Sequence, residues 1–150
     1  MANHAGDARR IVDSNVYMTV ATADAGGRPW ASPVWFAHEG YTRFVWVSKP
    51  DARHSRNIAA RPQTGIVIFD STPRQGTPEA VYVEAEAELV GQGEDERYMG
   101  IFSRRSEALG WPGWTVEDVR PPAPLGLYRA SASALFVLGP SDERIAVSIA

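Results

Sequence analysis

The chain has 150 residues, 44% of them hydrophobic and 22% charged, which is enough for one domain with a real core and too few for two ordinary ones. A net charge of -3 gives no general attraction to nucleic acid or to an anionic membrane, and the absence of cysteine excludes disulfides, thiolate metal sites and cysteine nucleophiles. No apolar run approaches the roughly 20 residues of a membrane span and Met1 to Arg10 carry no apolar signal core, so a single-domain cytoplasmic protein is expected.

In chain order, Gly6 to Ser14 reads as a short helix, followed by a β-branched and aromatic strand, Tyr17 to Thr22. Asp24-Ala25-Gly26-Gly27 is a hairpin turn whose glycines supply positive φ. Trp30 to Ala37 and Arg43 to Val47 follow as the second and third strands, most simply as an antiparallel meander. Pro33 cannot donate to a sheet ladder, which places it at an edge, at a bulge, or where a planar ligand takes over from a strand. The alternative is an ordinary edge strand with Trp35 and Phe36 as packing residues.

Ser48 and Asp51 stand at capping-box spacing with Pro50 between them, predicting a helix from about Pro50 to Ala60 that Arg61-Pro62 terminates. Gly65 to Asp70 is an apolar strand expected to be covered on both faces, and Ser71 to Pro78 is a polar loop. In Ala80 to Leu89 the residues Val81, Val83, Ala85, Ala87 and Leu89 share one face, with Tyr82, Glu84, Glu86 and Glu88 on the other. Glu94 to Arg105 returns to helical spacing, with Tyr98, Ile101 and Phe102 on one stripe. Gly110 to Pro124 holds Trp111, Trp114 and four prolines without a period. Leu127 to Ala130, Ala134 to Leu138 and Ile145 to Ile149 are three further strand candidates. The sum is a mainly β (α+β) domain: a six- to seven-stranded antiparallel split barrel with two or three peripheral helices, since closure removes exposed edges.

His4, His38 and His54 lie apart with no paired carboxylate at ligand spacing, so no metal site is expected, and no nucleophile elbow or phosphate loop is present. Chemistry, if any, falls to a bound cofactor. The segment Ser48 to Asn57 offers a place for its anionic end. A helix start with free N–H groups welcomes an anion, and Lys49, Arg53, His54 and Arg56 lie within reach, although the same pattern describes a solvated basic helix face.

Gly27-Arg28-Pro29 leading into Ser32-Pro33-Val34-Trp35-Phe36, the strand Phe44 to Ser48, and Asp51 to Asn57 running into Ile58-Ala59-Ala60-Arg61-Pro62 together resemble the pyridoxamine 5'-phosphate oxidase-like flavoproteins, which are FMN-binding split barrels. The resemblance covers Tyr17 to Leu89. It implies that Pro33, Val34 and Trp35 border the flavin ring, largely through backbone groups. Ser48 and Lys49 would meet the ribityl-phosphate end, with Arg53, His54 and Asn57 on the phosphate. Where the family often has lysine this chain has His54, whose pKa a neighbouring dianion would raise.

The resemblance further implies a homodimer with flavin sites at the interface, completed by partner residues, and a small-molecule substrate; Arg129, Tyr82 and the tryptophans at 111 and 114 are the candidates for that role, core or plain dimer packing being the alternative for each. The chain ends in an apolar strand without the arginine-containing terminal motif of true pyridoxamine phosphate oxidases, so vitamin B6 chemistry is not expected. Three functions follow: an FMN-dependent oxidoreductase, a reductase using a deazaflavin in place of FMN, or a non-catalytic flavin or haem carrier.

Overall fold

The computed structural model describes residues 2–72 and 79–148, which form three helices, a 3-10 turn and a curled antiparallel sheet of eight strands. Helix α1 (His4–Ser14) starts where Asn3 Oδ1 accepts a hydrogen bond from the Gly6 N–H at 2.9 Å, and buries Ala8, Ile11 and Val12 from one stripe. Strands β1 (Tyr17–Ala23) and β2 (Pro29–Trp35) form the expected hairpin. Asp24 Oδ1 accepts from the Gly26 and Arg28 N–H groups, and Gly27 takes the φ of 88° that a side chain would oppose.

The meander stops there. The second predicted strand breaks at Phe36, whose N–H turns back to the Val16 carbonyl, and Ala37–Glu39 becomes a separate short strand, β3. β3 pairs with β4 (Arg43–Ser48), and β4 pairs on its other side with β7 (Gly126–Leu138) rather than with β2. With β5 (Gln63–Phe69), β6 (Ala80–Leu89) and β8 (Arg144–Val147), the sheet order is β2-β1-β5-β6-β7-β4-β3, with β8 on β7. The two ends of that order, β2 and β3, are consecutive in the chain, so the sheet must curl to bring them together. This is the split barrel, with β2 approaching β4 without pairing to it.

Several expectations need correction. Helix α2 runs Arg53–Ala60, starting three residues later than predicted, because Lys49 to Ala52 form a turn instead of helix. The capping box does not form: Ala52 is the N-cap, and Ser48 remains the last residue of β4, opposite Gly126. The two strand candidates after Pro124 are one continuous β7, in which a bulge opposite Glu84 and Ala85 absorbs the extra residue that looked like a break. β5 is not covered on both faces: Thr64, Ile66 and Ile68 point inward, and Phe69 is exposed. Leu89, expected in the core, is 55% exposed at the end of β6. Helix α3 extends over Asp95–Ala108, and β8 begins one residue early, with Ile149 outside the described residues, as is most of the predicted loop Ser71 to Pro78.

The main core fills the barrel with Met18, Val20, Phe36, Phe44, Trp46 and Ile68, capped by α1 and by Ile58 of α2. Each such side chain contributes about 1.5–3 kcal/mol by leaving water. A second core lies outside the barrel, where Tyr98, Met99 and Phe102 of α3 pack on Ala37, Val45 and Leu127. No helix of the described residues is long and apolar enough to cross a membrane.

Candidate functional site

The site is built where β4 ends and α2 begins. Ser48 Oγ and His54 Nε2 lie 2.8 Å apart, joining the last strand residue to the second helical residue. This contact explains the lost capping box: the hydroxyl that spacing assigned to the helix N–H groups faces the imidazole instead. Among the described residues no side chain caps the first turn of α2, so its N–H groups keep their capacity for an external acceptor. His54 is buried, and burial pushes its pKa below the ordinary histidine value, leaving it neutral at pH 7 in the ligand-free protein.

Arg53 is half-buried, and its guanidinium sits 4.2 Å over the ring of Trp30 on β2. That stacking holds a charged group beside the helix start without neutralising it. Trp30 stands three residues before Pro33, and no sequence spacing links it to Arg53. Lys49 is exposed on the turn preceding α2, and Arg56 is exposed, its guanidinium donating to the Asp51 carbonyl at 2.8 Å. Asn57 points elsewhere. It is buried, and its Nδ2 donates to Thr22 Oγ1 at 3.0 Å, tying α2 to β1.

β2 is the terminal strand of the sheet order, and Pro33 occupies it opposite Thr19, an edge placement that a residue without an N–H tolerates. Val34 is buried inside the barrel, so only its backbone is available at the edge. Trp35 faces the other way, stacked on Phe102 with centroids 3.9 Å apart and edge-on to Trp111 at 5.2 Å. The structure thus joins Ser48 to His54 at the start of α2, with Arg53 at the first helical position turned over Trp30 and Lys49 on the preceding turn. It sets Pro33, Val34 and Trp35 along the same edge strand that carries Trp30, and turns Asn57 toward β1.

Two further features were illegible in the sequence. Ser55, in the first turn of α2, is buried, and its Oγ has no hydrogen-bond partner among the described residues. It lines a cavity of about 380 Å³ together with Pro50, Ile58, Leu89 and Tyr128. The residues named as partner contributions are engaged within their own chain. Arg129 pairs with Glu88 and Glu94, Tyr82 lies under Arg144, and Trp114 packs edge-on to Phe102.

The family model described as pyridoxamine 5'-phosphate oxidase matches residues 6–137. A pyridoxine/pyridoxamine 5'-phosphate oxidase of Xanthomonas euvesicatoria pv. vesicatoria is 29% identical over 94 residues, 63% of this chain and 47% of the relative. The chain therefore spans about half the length of the curated relatives it matches. Among solved structures, a haem-binding protein from Mycobacterium smegmatis superposes with a TM-score of 0.77 at 20% identity, over 99% of this chain and 59% of that one. An FAD-binding protein from Mesorhizobium loti superposes with a TM-score of 0.68 at 16% identity, over 97% and 96%. Identities this low establish the fold alone.

Proposed function

The chain belongs to the pyridoxamine 5'-phosphate oxidase family, and from that premise we propose that it binds FMN and works as an FMN-dependent oxidoreductase. The observation that carries the reading is the uncapped start of α2, flanked by the Ser48–His54 pair and by the Trp30-supported Arg53. Such a site offers backbone donors, the positive end of a helix dipole and a fixed cation to a phosphate. Ser48, Lys49, Arg53 and His54 hold the ribityl-phosphate end. The edge of β2 at Pro33, Val34 and Trp35 borders the ring, and Asn57 fixes the helix rather than meeting the phosphate. FMN supplies hydride or electron transfer when bound; the protein's part is to bind it, orient it and exclude water.

The flavin sites belong at the interface of a homodimer, which would cover exposed apolar side chains such as Tyr17, Phe69 and Leu89. A small-molecule substrate then enters beside β2. The likeness to a haem-binding fold over nearly the whole chain favours one second reading, a non-catalytic haem or flavin carrier.

The visible spectrum of the purified protein separates these readings. Flavin bands near equimolar with chain, bleached and restored by a reductant and an acceptor, support the oxidoreductase. A Soret band, or flavin that no donor or acceptor cycles, supports the carrier. Colourless protein that binds a deazaflavin in preference to FMN replaces the cofactor while leaving the phosphate cradle in place.

A further inference from the structure

A second built cavity lies on the opposite side of Trp35 from the barrel, between α3 and the segment after it. It has a volume of about 350 Å³, and three indoles, Trp35, Trp111 and Trp114, line it together with Pro112 and Asp118. Nothing in the α2 cradle uses it.

Its walls are fixed from several directions. Ser106 Oγ donates to the Pro112 carbonyl at 2.6 Å, the Trp111 N–H donates to the Ser106 carbonyl at 2.9 Å, and the Trp114 N–H donates to Ser103 Oγ at 2.8 Å. Phe102 stacks under Trp35 and meets Trp114 edge-on, with centroids 5.5 Å apart. The segment lies so close to α3 that a Cβ on Gly113 would stand 2.5 Å from Glu107 Oε1. The indoles are therefore held in place before any ligand arrives, and little ordering cost falls on binding.

Asp118 places an exposed carboxylate at the rim of the cavity. Asp118 accepts from the Thr115 N–H at 2.9 Å but has no ion-pair partner among the described residues. The nearby cation, Arg120, is committed to Asp95 by bonds of 2.8 and 3.0 Å. Aromatic faces attract cations through their quadrupole, most strongly for tryptophan, and the exposed Asp118 carboxylate adds a negative charge at the rim. A neutral ligand would gain from neither the ring quadrupoles nor the carboxylate.

We propose that this cavity binds a small organic cation bearing an alkylated ammonium group. The cation lies among the indoles with its charge toward Asp118. Trp35 is shared between this cavity and the strand assigned to the flavin ring, so an occupant sits next to the cofactor edge. The cation site itself does not require the flavin.

Isothermal titration of the purified protein with choline, and with its neutral isostere 3,3-dimethylbutan-1-ol, tests the assignment. Choline should bind with at least about tenfold higher affinity than the isostere. Trp111→Leu, at an exposed position, and Asp118→Asn, which keeps the acceptor for Thr115, should each weaken choline by about fivefold or more with the melting temperature retained. Trp111→Phe should retain most of the binding. Equal affinity for the two compounds, failure of choline to bind, or binding unchanged in both Trp111→Leu and Asp118→Asn would overturn it. Choline binding in Arg53→Ala should equal wild type, which keeps this test separate from that of the flavin cradle.

Discussion

Asn57 offers a quantitative test of how the cradle is held. The side chain is 6% exposed, its hydroxyl partner Thr22 is 4% exposed, and the 3.0 Å bond between them crosses from α2 to β1. Replacing Asn57 with alanine removes a net hydrogen bond of about 1 kcal/mol and leaves a buried hydroxyl short of a partner, a penalty of about 1–3 kcal/mol. Thr22 Oγ1 still donates weakly to the Trp30 carbonyl at 3.4 Å, so the hydroxyl loses only the bond it accepts, which puts that penalty at the low end. The better helix propensity of alanine returns about 0.5 kcal/mol. The net loss is about 1.5 kcal/mol, or a melting temperature lower by about 3–6 °C in a domain of this size.

Urea unfolding of ligand-free Asn57→Ala, Thr22→Val and the double variant measures both the loss and the coupling, which should reach about 1 kcal/mol. If the two substitutions add without coupling, or if Asn57→Ala does not destabilise the ligand-free protein, the tether is refuted. Asn57 would then be free to serve as a phosphate ligand.

Two pH-dependent outcomes follow. His54 has its pKa lowered by burial, so its contribution to stability is complete above the ordinary histidine range near 6.5 and is lost as pH falls below it. A bound phosphate reverses that preference, so affinity for FMN relative to riboflavin should rise as pH is lowered from 8 toward 6.5, and His54→Gln should flatten the ratio; binding titrations at fixed ionic strength check this. Asp95 is held below the usual carboxylate range by Arg120, whose guanidinium donates to both of its oxygens. That stability is present above the unfolded carboxylate pKa and disappears as pH falls through the folded one. Asp95→Asn should therefore melt below wild type at neutral pH, and the two curves should converge in acid.

The parts of the fold legible in the sequence were those set by local or strictly periodic constraints. The end of α2 at Arg61-Pro62 follows from backbone sterics, and the alternation of β6 follows from a strand with one face on the core. The hairpin at Asp24 to Gly27 needed only turn chemistry. What the sequence could not give depends on partners distant in the chain. β4 continues to Ser48 because Gly126 pairs with it, and that extension removes the cap from α2. β7 runs through Ser131 to Ser133 because β6 accommodates a bulge there. The break at Phe36 is imposed by barrel closure, not by a residue that breaks strands.

The candidate site divides the same way. Ser48, Arg53 and His54 were legible because a helix start with nearby cations is a contiguous pattern. The support of Arg53 by Trp30, the tether from Asn57 to Thr22 and the meeting of Trp35 with Trp111 join residues 23, 35 and 76 positions apart, and only the tertiary fold brings them together.

The central claim is that the start of α2 holds the phosphate of a flavin, and it is tested most directly by comparing FMN with riboflavin, which lacks the phosphate, in wild type and in Arg53→Ala. Wild type should prefer FMN. A half-exposed, charge-assisted contact predicts that Arg53→Ala weakens FMN by about tenfold while riboflavin changes by less than about twofold. Equal losses for the two ligands, or a wild type that binds riboflavin as tightly as FMN, would contradict the claim.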